Sequence, residues 1–194
     1  MKAFIWMIGS VMLLATTSCK KGSDKQDEEL YRNVPNSKVP DELATGTWFY
    51  GTLSAISFYD RYGHNLGNEY EAGREFQFSN QDGKGRVKFW QYLGMKTYST
   101  CVTEIYTRKE GSVVFNDKTF TFYPVKGSFK TIKDKCSSGN GVNERPAEAD
   151  DLKPETFRWE IRIIEGVKHL YTFAEDDVNL SEPLFVYTYA TIEQ

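Results

Sequence analysis

Reactive side chains are scarce in this chain of 194 residues, and their spacing excludes more chemistry than it supports. The two histidines, His64 and His169, stand far apart, and neither has a second ligand at metal-binding spacing. Glu148, Asp150 and Asp151, and later Glu175, Asp176 and Asp177, offer oxygen atoms without the spacing of a calcium loop, so they read as solvated acidic loops. There is no G-x-S-x-G elbow and no glycine-rich phosphate loop opening a helix. No metal site, cofactor or catalytic residue is therefore expected, and the expected class is not an enzyme. What remains is three cysteines and an abundance of rings, 12 Tyr, 13 Phe and 4 Trp. Aromatic rings with polar tips line pockets for apolar ligands and stack on sugars. Trp90, Tyr92, Tyr106, Trp159 and Tyr187, which alternate with core positions or extend them, form the candidate ligand-lining set. An interior simply filled by rings, or a partner-binding surface, are the alternatives.

Cys19 ends a distinctive opening. Lys2 is followed by an apolar run from Ala3 to Ala15 and by Thr16, Thr17 and Ser18. That is the pattern of a secretory signal peptide over 1–18. Its apolar core of about 13 residues is shorter than the ~20 needed to span a bilayer. Closing on a cysteine, the segment resembles a bacterial lipoprotein signal, with Thr16 where the usual motif has leucine. With Lys20 and Lys21 behind the cysteine it is similar to the relaxed versions in lipoproteins of the Bacteroidetes type. The resemblance implies that Cys19 is lipidated and becomes the new N-terminus. It also implies a place in the bacterial cell envelope, anchored by lipid, at the outer membrane. Two or more acyl chains, at ~0.8 kcal/mol per buried methylene, hold a protein stably on a membrane. Asp27, Glu28 and Glu29 resemble the surface-export signal of some of these lipoproteins, and the periplasmic and surface faces both stay open.

An exported chain meets an oxidising compartment, where the two remaining cysteines, Cys101 and Cys136, are expected to pair. Closing that loop of about 35 residues corresponds to roughly 4 kcal/mol of chain entropy, less any strain. Loss of residues 1–18 removes one charge, Lys2, and takes the net charge from −3 to −4. Such mild acidity argues against nucleic acid as a partner, since binding it needs a concentrated basic surface.

Residues 19–39 are polar and charged and read as a flexible tether. From residue 40 to 194 the chain reads as one β domain. Pro40 to Ala44 suit one helical turn, and Gly46-Thr47-Trp48 opens a strand reaching about Phe58. Residues 59–72 read as a long loop. Phe76 and Phe78 then share one face and Glu75 and Gln77 the other, the two-residue period of a strand. Asp82-Gly83 signals a hairpin; further strands follow near 87–90, 100–108, 113–115, 119–123 and 128–132. Glu110-Gly111 and Lys126-Gly127 mark turns between them. The polar stretch 134–154 is too long for an ordinary connection and suits a flap or binding loop. Strands near 157–163, 169–174 and 184–190 close the chain, with Glu165-Gly166 as a turn. Sequential hairpins in this number imply an all-β antiparallel up-and-down meander that escapes exposed edges by closing into a barrel. A β-sandwich is the alternative.

A helical turn followed by Gly46-Thr47-Trp48 on the first strand resembles the opening of lipocalins. The resemblance implies that Gly46 and Trp48 form the barrel floor, with Arg158 or Arg162 packed over the tryptophan. The chain departs from that family by ending just after its last strand. Signal, linker, barrel and paired cysteines together resemble lipocalin-like lipoproteins of the Bacteroidetes type. The expected role is non-enzymatic binding of a small apolar ligand in the barrel beneath the 134–154 flap. The alternative is a structural or interaction module that presents loops 59–72 and 134–154 to a protein or a glycan.

Overall fold

The computed structural model describes residues 28–44, 46–51, 70–97 and 100–190. Residues 28–31 form a single helical turn, with the Arg32 N–H donating to the Glu29 carbonyl. A separate compact unit begins at Asn33. Cys19 and most of the 59–72 segment lie outside the described residues, as does the part of the first strand beyond Gly51.

Nine strands follow among the described residues: β1 (Thr47–Gly51), β2 (Tyr70–Gln81), β3 (Lys84–Thr97), β4 (Cys101–Asn116), β5 (Thr119–Asp134), β6 (Gly141–Pro146), β7 (Glu155–Ile164), β8 (Val167–Phe173) and β9 (Pro183–Ala190). All pairings are antiparallel. The order β4-β3-β2-β1-β9-β8-β7-β5 returns to β4 through the β4–β5 pair, so eight strands close into a barrel of the lipocalin-like type. Closure leaves none of the eight as a free sheet edge, which a sandwich would.

Chain order puts the β2–β3, β4–β5 and β7–β8 turns at one end, and that end is closed by what precedes β1. The Pro40 carbonyl accepts the amides of Leu43 and Ala44, the helical turn read from the sequence. Val39 and Leu43 are fully buried beneath it. Gly46 has φ +82°, and a Cβ there would lie 2.7 Å from the Ala190 carbonyl oxygen, so glycine lets the chain pass under β9. Trp48 then enters the core, fully buried, its indole N–H donating to the Leu43 carbonyl. Above it Phe76, Phe78, Phe89, Phe120, Phe122 and Phe157 fill the lower barrel. Phe76 alone has six ring neighbours at centroid distances of 4.9 to 6.5 Å. The lower lumen is packed solid.

Three expectations change. The segment read as a tether to residue 39 joins the barrel from Pro35. Ser112 donates to the Pro35 carbonyl, the Ser37 hydroxyl accepts from the Phe115 amide, and the Asn80 side chain bonds both backbone groups of Val39. Polar composition hid this strap because hydrogen bonds hold most of it and Val39 alone among its residues is buried. Glu110-Gly111 and Lys126-Gly127 are not turns but lie within two unbroken strands of 16 residues. The register shifts at Glu110/Gly111, and a Cβ on Gly111 would sit 2.0 Å from the Tyr123 carbonyl oxygen. The glycine thus serves a bulge where two backbones approach closely. Finally, 134–154 is not a flap. It contains β6, which pairs with β5 over 128–133, above the point where β7 meets β5 at Phe122↔Glu155. The upper half of β5 would otherwise be an open edge; β6 covers it and widens the wall.

Candidate functional site

The registers place inward-facing residues in rows. The row Phe76–Phe89–Lys109 is followed, toward the end that the described residues leave open, by Arg74–Gln91–Thr107–Phe129, and then by Ala72–Leu93–Ile105–Thr131. The lining therefore changes from rings, to a polar layer, to a half-buried apolar row on the wall that rises above β7.

The polar layer is built from charges on three strands. Lys109, its side chain only 13% exposed, places Nζ 3.0 Å from Glu155 Oε1, a pair that passes over β5 from β4 to β7. Taking an ammonium out of water costs several kcal/mol, and the carboxylate offsets that cost. Arg74 has no such partner. Its guanidinium extends from β2 between Phe89 (4.9 Å) and Phe185 (4.1 Å), spanning the lumen to β9. Each ring face contributes about 0.5–2 kcal/mol to holding a cation. Among the described residues no carboxylate pairs with Arg74, and its Nε has no hydrogen-bond acceptor. Tyr187 stands beside it, fully buried, with no acceptor or donor in bonding geometry at its hydroxyl. Thr172 is near enough to influence that phenol, but its own hydroxyl leans on the Phe185 carbonyl at 3.4 Å. Burial, above all, pushes the Tyr187 phenol far up from its ordinary value, so it stays a neutral O–H donor. Tyr50 completes the layer, its ring 5.3 Å from that of Phe185. Among the described residues, Arg74, Lys109 and Glu155 leave one positive charge in excess.

Of the ligand-lining set, Trp159 and Tyr187 face the interior, Trp159 low against Phe115 and Tyr187 in the polar layer. Trp90, Tyr92 and Tyr106 alternate with Phe89, Gln91 and Thr107 and so stand on the outer face of β3 and β4. The five do not converge. Two of the outer three meet: the Tyr92 and Tyr106 rings are 5.2 Å apart, with Tyr92 itself only 1% exposed, and a groove of about 510 Å³ beside Tyr106 is lined by Tyr106, Arg108, Ser128, Lys130, Ile132 and Glu144. Burial, then the hydrogen bond to Glu104 and its charge, push the Tyr106 phenol up to about 12.

Cys101 and Cys136 form a disulfide, joining the start of β4 to the chain just past β5. It ties the top of the tall wall. Neither arginine expected over Trp48 lies there. Arg158 donates to the Glu175 carbonyl, and Arg162 stacks over Tyr171 at 4.2 Å on the outside of the barrel. Both alternate with Trp159 and Ile161, which carry the inward phase, so β7 points its arginines outward; Tyr189 meets the indole instead, at 5.2 Å. Sequence reasoning passed over Arg74, Lys109 and Glu155. A signal was present for two of them. Arg74 is in phase with Phe76 and Phe78, and Glu155 with Phe157 and Trp159, each a charge on the upper end of an apolar face.

Among the described residues no three His, Cys or carboxylate groups come together as a metal site, and no helix is long and apolar enough to cross a membrane. No family model, curated protein or solved structure matches this chain, so its function has to be read from the barrel itself.

Proposed function

We propose that this chain is an exported lipoprotein, anchored by lipid on Cys19, that binds a small and largely apolar ligand without catalysing a reaction. The ligand seat is the open end of the barrel rather than its depth, because the lower lumen is occupied by the protein's own rings. One observation carries the reading. Ala72, Leu93 and Ile105 form a half-buried apolar row directly above a polar layer, on a wall taller than β7. Apolar surface with a few convergent polar groups is the usual composition of a small-molecule site. An environment-sensitive apolar dye titrated into the protein tests it. Wild type should enhance the dye's fluorescence, and Ile105→Arg should abolish the enhancement while leaving the melting temperature close to wild type. Enhancement that survives Ile105→Arg would place the ligand elsewhere. The anchor is tested separately: Cys19→Ala should move the protein out of the membrane fraction.

The outer groove supports a second reading, an interaction surface for a glycan or a protein. Tyr106 with Arg108, Lys130 and Glu144 offers a ring face beside hydrogen-bonding groups, the combination that holds sugars. Tyr106→Ala should then weaken binding to immobilised glycans without altering the dye titration.

A further inference from the structure

We propose that the ligand of the barrel mouth carries a carboxylate, and that Arg74 with Tyr187 is its seat. The inference rests on the mouth reading above and names the ligand's chemical class.

Among the described residues Arg74 and Lys109 both enter the lumen, but Lys109 holds Glu155 at 3.0 Å and Arg145 holds Asp151, the other carboxylate that Lys109 feels, so neither is bonded to Arg74. The guanidinium is left between two ring faces, which stabilise a cation but accept no N–H bonds in its plane. Its Nε is buried without an acceptor. Guanidinium presents its donors as a planar fork that matches the two oxygens of a carboxylate. With Phe89 and Phe185 covering Arg74, what the fork can still accept is a group arriving edge-on. The Tyr187 hydroxyl, fully buried and without a partner in bonding geometry, is a second donor in the same layer. Two unspent donors and one excess positive charge describe an anion site. The neighbouring rows say what the anion is attached to. Gln91 and Thr107 continue the Arg74 row with hydrogen-bonding groups, and the next row up is Ala72, Leu93 and Ile105. A carboxylate at Arg74 would thus trail an apolar body up the inside of the tall wall. An inorganic anion would leave that row unused, and a neutral apolar ligand would leave the guanidinium unpaired.

The test uses a matched pair of probes, octanoate and octanol, which differ in the head group alone. The protein is the mature chain from residue 19 with Cys19→Ala, so that no acyl chain competes for the mouth. At pH 7 calorimetry should give octanoate at least tenfold tighter binding than octanol. Arg74→Gln should bring the two to equal affinity by weakening octanoate, leaving octanol unchanged. Arg74→Lys should restore part of the preference, since it returns the charge without the fork. Tyr187→Phe, which removes one oxygen, should weaken octanoate several-fold and octanol not at all; it keeps the proposal testable if the Arg74 variants fold poorly. Equal binding of the two probes by wild type would overturn the carboxylate seat while leaving the mouth as an apolar site. So would a preference that survives both Arg74→Gln and Tyr187→Phe. Binding of neither probe would overturn the mouth reading itself, and this inference with it.

Discussion

The two ends of this barrel are held by different physics. At the closed end the side chains are rings and branched aliphatics, and the strands there are pinned by burial: Trp48, Phe76, Phe78 and Phe120 are each at most 1% exposed. Toward the open end the same strands β3, β4 and β5 run on past β7, and their inward residues are only half-buried. There the wall depends on devices that need no deep core: a disulfide, an ion pair across β5, and an added edge strand held by Arg145 and Asp151. On the proposed reading, the difference separates stability from ligand binding. A packed end can carry the fold, which frees the other end to keep polar groups that its own structure does not satisfy.

Weakening the closed end is expected to have the largest effect. Trp48→Ala removes a fully buried indole, its hydrogen bond to Leu43 and its contact with Tyr189. Truncating an aromatic in a core costs about 3–5 kcal/mol, a large part of the ~5–15 kcal/mol that a domain has. Chemical denaturation should show a loss of that size. A Trp48→Ala variant that melts near the wild-type temperature would mean that the closed end does not carry the fold.

Removing the crosslink asks the same question of the wall. Cys101→Ala with Cys136→Ala should cost up to roughly 4 kcal/mol if the wall unfolds together with the barrel. If the top of β3 to β6 opens on its own, the global transition should move much less, and amide exchange should quicken over 101–107 and 128–134 while the Phe76 region stays protected. Either pattern locates what the crosslink holds. Unchanged denaturation together with unchanged exchange would mean that the crosslink does not hold the wall.

How much of this was legible in the sequence depended on whether a position was decided by pattern or by partner. The alternation around Phe76 and Phe78 and the positive-φ turns at Asp82-Gly83 and Glu165-Gly166 are local, and they appear in the structure as read. So is the turn at Pro40 before Gly46 and Trp48. Gly111 and Gly127 misled because glycine marks both turns and close approaches; the Tyr123 and Arg108 carbonyls that fill the space where a Cβ would stand come from the partner strand. β6 was invisible for another reason. All six of its residues are exposed, so no alternation of hydrophobicity marks it as a strand. The polar layer was half legible, since a charge in phase with an aromatic run can be seen, but which charge it meets across the barrel cannot.

Glu155→Gln tests the boundary between the two regions. It keeps the shape of the side chain but removes the negative charge facing Lys109, whose ammonium is nearly buried. The charged hydrogen bond lost is worth about 1.5–3 kcal/mol, reduced because Glu155 is more than a third exposed. A loss near 1–2 kcal/mol is expected in denaturation. Lys109→Met with Glu155→Leu should recover most of it, because an apolar pair replaces a buried ion pair at little cost. Failure of the double variant to recover would mean that the pair is needed for more than neutralising itself.

The smallest expected effect lies on the wall's outer edge and is a matter of pH. Asp151 accepts from Arg145 at 2.7 and 3.3 Å and from the Glu148 amide at 2.9 Å. The Arg145 hydrogen bond first, and the backbone amide second, hold its carboxyl down at about 2 against an ordinary 3.8. A carboxyl held below its unfolded value binds its proton more readily once unfolded, so its contribution is complete above about pH 4 and is lost as pH falls toward 2. The site is exposed and screened, so the expected change is local rather than global. Amide exchange in β6 over 141–146 should speed up between pH 4 and pH 2 in wild type, beyond the intrinsic pH dependence of exchange. Asp151→Asn should show the faster exchange already at pH 5 and no further step on acidification. The melting temperature should barely differ between the two proteins across that range, since the closed end, which has no part in this pair, carries the barrel. An acid step in β6 that persists in Asp151→Asn would assign the edge to some other carboxylate. A large drop in global stability over the same range would show that β6 is continuous with the barrel's folding unit rather than an addition to its wall.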